Sequence, residues 1–166
     1  MILGMSTATY TFLHVLISLI GIGSGLIVMY GFLAGRQLNG ITAIFLVTTV
    51  LTSVTGFGFP FDHLLPSHIV GIISLVALAV AIPARYLFHF VSAWRWIYVV
   101  TAAIALYLNV FVLTVQLFEK VPALKALAPT QKEPPFLVVQ LLVMAVFVAL
   151  TIVAAKRFHP QPARTA

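Results

Sequence analysis

Histidine is the residue type in this sequence with the most obvious chemistry, because a neutral imidazole nitrogen binds haem iron and other transition metals. His14 lies near the start of the first long apolar stretch and His68 at the start of the third. Two imidazoles that face each other from two helices are the axial ligands of a b-type haem. The small residues Ser18, Gly21 and Gly25 follow His14 on one helical face and would leave room for the macrocycle. The pair therefore predicts haem b between His14 and His68, with electron transfer as the function.

Two other interpretations of the same segment remain open. Asp62, His63 and His68, with His14 across the bundle, would supply three nitrogens and a carboxylate to zinc, copper or iron. Their spacing matches no known ligand motif. The third interpretation needs no cofactor: Ser67 caps a helix, Asp62 and the nearby histidines face water and headgroups, and His14 is a hydrogen-bonded interior residue.

Three amide side chains form a second group of candidate functional residues. Asn109, Gln116 and Gln140 fall within the last two long apolar stretches, at a depth similar to that of His14 and His68. A polar side chain in hydrocarbon needs a partner, so we expect a structural hydrogen bond between Gln116 and Gln140. The functional alternative is a pocket in which the three amides exchange electrons with quinol.

The elements that position these residues follow from the placement of charge. Twelve of the 166 residues are charged, and they leave long uncharged stretches between them. A hydrocarbon core of about 30 Å needs about 20 apolar helical residues, and a charge at its centre costs roughly 3 kcal/mol. The chain is therefore predicted to be an all-α integral membrane protein with five transmembrane helices. We place the helices near residues 9–34, 41–59, 67–88, 94–118 and 135–155.

These helices form a single predicted domain, residues 1–155, followed by a basic tail, residues 156–166. The tail is expected to be too short and too polar to pack. The longest connection, residues 119–134, contains a segment at 122–127 that is either a short helix on the headgroups or an ordinary solvated loop. No basic residue precedes the first apolar stretch, so we expect it to be a retained helix and not a secretory signal.

Basic residues beside the helix ends predict the orientation. The side predicted to be cytoplasmic carries Arg36, Arg85, Arg95, Lys156, Arg157 and Arg164. The other side carries Lys120, Lys125 and Lys132. Positive charge accumulates in cytoplasmic loops, so the N-terminus is predicted to be outside and the C-terminus cytoplasmic. A multi-pass location in the bacterial inner membrane is the matching expectation.

Composition excludes several classes of function. With 62% hydrophobic and 7% charged residues, a soluble domain would lack the polar surface it needs. The excess of basic residues is typical of membrane-protein loops, so we expect no nucleic-acid binding. The absence of cysteine excludes disulfides, iron–sulfur clusters and covalently attached haem. No phosphate-binding glycine loop, G-x-S-x-G or H-E-x-x-H motif is present, and whether the chain is an enzyme stays open.

The competing class of function is a membrane subunit or assembly factor without a cofactor. Gly21 and Gly25 form a G-x-x-x-G motif, and threonine, serine and glycine give residues 48–56 a small, weakly polar surface. Such surfaces pack against other helices, whether of the same chain, of another subunit or of a second copy.

Overall fold

The computed structural model describes residues 2, 4–60 and 66–160, and within them the chain is helical without a strand. The helices are α1 (Thr7–Leu33), α2 (Asn39–Gly56), α3 (Pro66–Tyr86), α4 (Trp94–Lys120), α5 (Pro122–Leu127) and α6 (Pro134–Arg157). All except α5 are long and apolar enough to cross a membrane. The prediction of an all-α protein with five membrane-spanning helices is therefore confirmed. Its orientation and the identity of the membrane remain predictions.

The spanning helices alternate in direction, so the bundle has two ends. We call the end at which α1 begins the N-terminal face and the end at which α6 finishes the C-terminal face. The connections α2–α3 and α4–α6 belong to the N-terminal face. The connections α1–α2 and α3–α4 belong to the C-terminal face.

Local chemistry explains where α1 begins and α2 ends. The backbone N–H of Thr9 donates to the Ser6 side-chain oxygen at 3.1 Å, and this cap starts α1 two residues earlier than predicted. Helix α2 ends at Gly56, three residues earlier than predicted, because Gly58 and Pro60 favour non-helical backbone conformations around them.

Helix α3 begins at Pro66, whose fixed φ suits the first helical position. Ser67 therefore lies within the first turn, so the prediction that it caps this helix is wrong. Pro122 likewise begins α5, which confirms the short helix at 122–127 over the solvated loop.

The loop between α5 and α6 is held by one carboxylate. Glu133 accepts hydrogen bonds from the Thr130 hydroxyl at 2.8 Å, from the Thr130 backbone N–H at 3.2 Å and from the Lys132 backbone N–H at 3.0 Å. Slight desolvation raises the pKa of Glu133, but these hydrogen bonds outweigh it and leave the pKa below its usual value.

Helix α4 is the centre of the bundle, because it contacts all four other spanning helices. Its contact with α3 is built from small residues, which let two helix backbones approach closely. Ala77, Ala81 and Ala84 of α3 and Ala102 and Ala105 of α4 are all buried there.

The glycines of α1 serve the same close approach. A Cβ atom on Gly25 would lie 2.5 Å from Leu106 Cδ1 of α4 and 2.9 Å from the Phe45 ring of α2. A Cβ atom on Gly21 would lie 3.2 Å from the Thr48 hydroxyl oxygen. The G-x-x-x-G motif therefore packs against helices of the same chain.

The C-terminal segment departs from the prediction that the tail does not pack. Helix α6 continues through Arg157, and Phe158 is fully buried. Its ring centroid lies 4.9 Å from that of Phe32 and 5.6 Å from that of Phe90. The prediction overlooked that Phe158 follows the buried residue Ala154 by one helical turn and so continues the buried side of α6.

We expect Gly25→Ala to destabilise the bundle, because the buried side chains of Leu106 and Phe45 would have to shift to admit the added Cβ. The free energy of unfolding should fall by about 1–3 kcal/mol. Gly23→Ala is the matched control, because no heavy atom lies within 4 Å of the added Cβ. It should leave stability unchanged or raise it by up to about 1 kcal/mol. Thermal unfolding in detergent compares the two, and equal effects would contradict the close packing of α1.

Phe158→Ala should lower the free energy of unfolding by about 3–5 kcal/mol, because it removes a buried aromatic ring. His159→Ala, a change at the adjacent exposed position, is the control and should alter stability by less than about 0.5 kcal/mol. If the two variants unfold at the same temperature, Phe158 is not an anchor of the C-terminal segment.

Candidate functional site

The structure places His14 against the end of α2. His14 Nδ1 lies 2.7 Å from the Thr55 hydroxyl oxygen, and its ring makes an edge contact with Phe59 at a centroid distance of 5.3 Å. One turn earlier, the Tyr10 hydroxyl donates to the Thr55 carbonyl oxygen at 2.8 Å. His14 is thus a partly buried residue that joins α1 to α2.

The hydrogen bonds favour one tautomer of His14. The Thr55 hydroxyl oxygen lies 2.7 Å from both the Leu51 carbonyl oxygen and His14 Nδ1, and it has one proton to donate. When that proton goes to Leu51, Nδ1 of His14 donates to Thr55 and Nε2 carries the lone pair. This is the state in which histidine binds a metal, with the other nitrogen oriented by a hydrogen bond.

His68 lies on the other side of the same helix end. It is buried, and its ring stacks on Phe57 with a centroid distance of 5.3 Å and an interplanar angle of 16°. Thr55 and Phe57 are two residues apart at a helix terminus, so they point to nearly opposite sides. The structure thus brings both histidines to the N-terminal face but leaves the last turn of α2 between them.

The three amides also occupy separate environments. Asn109 Nδ2 donates to the Thr49 hydroxyl oxygen at 3.4 Å, between α4 and α2. Gln140 Nε2 donates to the Phe111 carbonyl oxygen at 3.2 Å, between α6 and α4. Gln116 is exposed. The expected hydrogen bond between Gln116 and Gln140 is therefore wrong: similar depth in the membrane did not place the two side chains on facing surfaces.

Polar side chains in this half of the bundle are paired both across helices and within them. Ser53 of α2 donates to Ser74 of α3 at 3.1 Å, which adds to the Thr49 and Thr55 contacts with α4 and α1. Other hydroxyls donate to a carbonyl oxygen of their own helix, namely those of Ser18, Thr48 and Thr114. Within the described residues, the Thr52 hydroxyl and the Gln140 amide oxygen are buried here without a hydrogen-bond partner. Most polar residues that the sequence placed in one half of the membrane are therefore hydrogen-bonded inside the protein.

The alternative metal site cannot be described, because Asp62 and His63 lie outside the described residues. Across residues 2, 4–60 and 66–160, no group of three or more histidine, aspartate or glutamate side chains is placed to hold a metal ion. The site with His14 and His68 stays a prediction.

A different site lies at the C-terminal face, where the sequence indicated little. A cavity of about 1060 Å³ opens between the ends of α3 and α6 and the starts of α2 and α4. Its charged and titratable lining residues are Arg85, Arg95, His89 and His159, and two amides, Gln37 and Asn39, complete the polar wall. We call this space the Arg85 cavity.

Arg85 is the central feature of the cavity, because it is a charged side chain with only 7% of its surface exposed. Its Nη2 donates to Asn39 Oδ1 at 2.7 Å. Its guanidinium carbon lies 5.4 Å, 5.5 Å and 5.7 Å from the ring centroids of Tyr86, Phe90 and Tyr98. Its Nε is buried and makes no hydrogen bond to any described residue. Arg85 therefore has an aromatic surround and one amide acceptor, but it retains an unused donor.

Arg95 has a different environment. Its Nη1 donates to the Phe158 carbonyl oxygen at 2.6 Å and to the Ala155 carbonyl oxygen at 3.3 Å. These are terminal carbonyls of α6, where a positive charge also meets the negative end of the helix dipole. Arg95 and Phe158 thus hold the C-terminal segment as one wall of the cavity.

The connection between α3 and α4 forms another wall and has an unusual backbone. His89, Phe90 and Ser92 have φ values of 45°, 63° and 52°. Left-handed backbone costs roughly 1–2 kcal/mol for a residue with a side chain. The turn directs Phe90 onto Tyr98, at a centroid distance of 5.1 Å, and brings His89 to the cavity.

Among the described residues, no carboxylate side chain lies at this face. Of the three acidic residues in the sequence, Glu119 is in the last turn of α4 at the opposite face, Glu133 precedes α6 there, and Asp62 lies outside the described residues. In addition, the first turns of α2 and α4 begin at the C-terminal face without a side-chain cap. The lining of the Arg85 cavity is therefore electropositive, and no carboxylate side chain of the described residues lies beside it.

One signal in the sequence could have identified Arg85. The residue lies three positions inside the predicted end of the third helix, at 88, so it was a charge within a predicted membrane segment. The count of basic residues that predicts the membrane orientation includes Arg85, but this count does not distinguish a buried arginine from an exposed one.

Together, the fold and the cavity define a small polytopic membrane protein with a cationic cavity at one end of a five-helix bundle. No protein family, curated protein or solved structure matches the chain in sequence or fold comparisons.

Proposed function

We propose that this protein is a membrane binding protein that takes an anionic, oxygen-rich group into the Arg85 cavity. The observation that carries the proposal is the burial of Arg85 at a face where the described residues include no carboxylate side chain. Phosphate and carboxylate groups are the ligands whose geometry matches a guanidinium.

The free-energy cost of burying the Arg85 guanidinium supports an anionic ligand. Removal of a guanidinium from water costs several kcal/mol even after local relaxation. A hydrogen bond from a charged donor such as that to Asn39 returns roughly 1.5–3 kcal/mol, and a cation–π contact roughly 0.5–2 kcal/mol. Much of the burial cost is thus offset, yet Nε still lacks an acceptor. An anion in the cavity would lie beside the guanidinium of Arg85, which lines it, and would neutralise the charge.

The cavity also has the features that orient a ligand. Asn39 and Gln37 present amide groups on one side, and Arg95 brings a second guanidinium from the start of α4. The uncapped first turns of α2 and α4 direct backbone N–H groups toward the same face, which favours negative charge. These groups favour binding and orientation, and none of them is an evident nucleophile.

Haem-based electron transfer is a second candidate function, and one observation favours it. The hydrogen bond to Thr55 leaves Nε2 of His14 as a neutral lone-pair donor near the membrane surface. His14 would be one axial ligand. His68 would become the other only if the last turn of α2 moved, and quinol would be the expected redox partner.

We expect phosphate-bearing ligands to stabilise the wild-type protein and not Arg85→Gln. At a concentration of 100 times Kd, a ligand stabilises by about 2.7 kcal/mol, which corresponds to an increase in Tm of roughly 5–10 °C for a chain of this size. Thermal unfolding in a neutral detergent, with glycerol phosphate and phosphatidylglycerol as probes, measures the effect. Arg36→Gln is the matched control, because Arg36 is an exposed arginine at the same face and should respond as wild type does. Equal stabilisation of Arg85→Gln, or no response of the wild type to either probe, would contradict the proposal.

The haem candidate predicts a Soret absorption band in protein purified from haem-replete cells. His14→Ala should abolish the band, whereas His159→Ala, which changes an exposed histidine, should leave it intact. Absorption spectroscopy of freshly solubilised protein decides the matter, and a colourless wild-type preparation would exclude this candidate.

A further inference from the structure

We infer that the anion in the Arg85 cavity is the phosphate of a membrane phospholipid and not a soluble ion; this inference rests on the anion site proposed above. Three observations carry it: the depth of the cavity in the bundle, its apolar rim, and its volume.

The depth is that of the lipid headgroups. The cavity lies where α3 ends and α4 begins, beside Tyr86, Trp94 and Trp96. Tryptophan and tyrosine collect at the interface between hydrocarbon and water. Arg85 is in the last turn of α3, so its guanidinium is at the level at which lipid phosphates lie.

The rim of the cavity is apolar and faces outward. Tyr86 and Val91 line the cavity while 47% and 66% of their surfaces are exposed, and the neighbouring Leu87 is 69% exposed. A small soluble anion would gain no binding free energy from contact with these apolar groups. The glycerol backbone and the first methylenes of an acyl chain would contact them while the phosphate reached Arg85.

The volume points to a ligand larger than a bare oxyanion. At about 1060 Å³, the cavity is at the upper end of the range of about 300–1,000 Å³ that holds drug-sized molecules. A phosphodiester on Arg85 would leave space for the rest of a headgroup near Gln37 and Asn39. The amides of these residues donate to and accept from hydroxyl or carbonyl groups, as glycerol-based headgroups require.

Native mass spectrometry with chemically defined lipids tests the inference. Wild-type protein, Arg85→Gln and the control Arg36→Gln are purified in detergent, exchanged into micelles that contain phosphatidylglycerol, and washed. We expect wild type and Arg36→Gln to retain the lipid mass, and Arg85→Gln to retain at least tenfold less. Retention of phosphatidylcholine with the same acyl chains should be weaker than that of phosphatidylglycerol in wild type and Arg36→Gln, because its choline cation offsets the phosphate charge.

A second comparison separates the lipid from a soluble source of phosphate and uses the wild type alone, so it holds even if Arg85→Gln does not fold. The probes are phosphatidylglycerol and its deacylated headgroup, glycerophosphoglycerol. We expect the intact lipid to bind at least tenfold more tightly. If the deacylated headgroup binds equally well, the lipid inference is wrong and the anion site stands.

If neither probe binds, the inference and the proposed function both fail. Equal lipid retention by wild type and Arg85→Gln would show lipid held only by the general apolar surface, and it would also overturn the inference. Arg85→Lys adds a graded check: it keeps the charge but loses the planar guanidinium that matches a phosphate, so retention between that of wild type and that of Arg85→Gln is expected.

Discussion

A polar group within a bilayer has no water to bind, so it must find its partner inside the protein, and this constraint organises the whole bundle. Helix α2 shows it most clearly. Thr49, Ser53 and Thr55 make hydrogen bonds to α4, α3 and α1 in turn. Each interhelical hydrogen bond in a membrane is worth only about 0.6 kcal/mol on average. The bonds therefore contribute mainly by setting the rotation and register of α2, while close packing around α4 supplies most of the stability.

The same constraint separates the two ends of the protein. The half of the bundle toward the N-terminal face contains more uncharged polar residues, and most of them bond either to a neighbouring helix or to a carbonyl of their own helix. The C-terminal face contains fewer polar residues, but Arg85 there is a buried cation, and the described residues place no carboxylate side chain beside it. In the sequence, the concentration of polar residues in one half of the membrane favours a site at the histidines. In the structure most of those polar residues have hydrogen-bond partners, whereas the Nε of Arg85 has none. The candidate site therefore lies at the opposite end of the bundle.

Depth in the membrane was predictable from this sequence, and the direction in which a side chain points was not. Charge spacing located the five spanning helices, because the free-energy cost of placing a charge in the bilayer is large and depends only on depth along the membrane normal. The helix ends lie within about three residues of their predicted positions. Contact between helices also depends on rotation and on which helices are neighbours. His14 and His68 share a depth but flank α2, and Gln140 bonds to the backbone at Phe111 instead of to Gln116. Arg85 was missed for a related reason: counting basic residues for orientation carries no information on burial.

Arg95 shows what a structural arginine at this face looks like, and the comparison clarifies the role of Arg85. Arg95 Nη1 donates to two carbonyl oxygens at the end of α6, where the helix dipole is negative, so the charge and this donor have partners within the chain. Arg85 is more deeply buried than Arg95 and loses more hydration, yet its partners are one amide oxygen and the faces of three aromatic rings. The Tyr98 hydroxyl lies beside the guanidinium as well. A purely structural role would be met equally well by an uncharged side chain of similar length, without the cost of burying a cation. In the proposed function, an anion in the cavity would balance the charge that Arg85 carries without a carboxylate among the described residues.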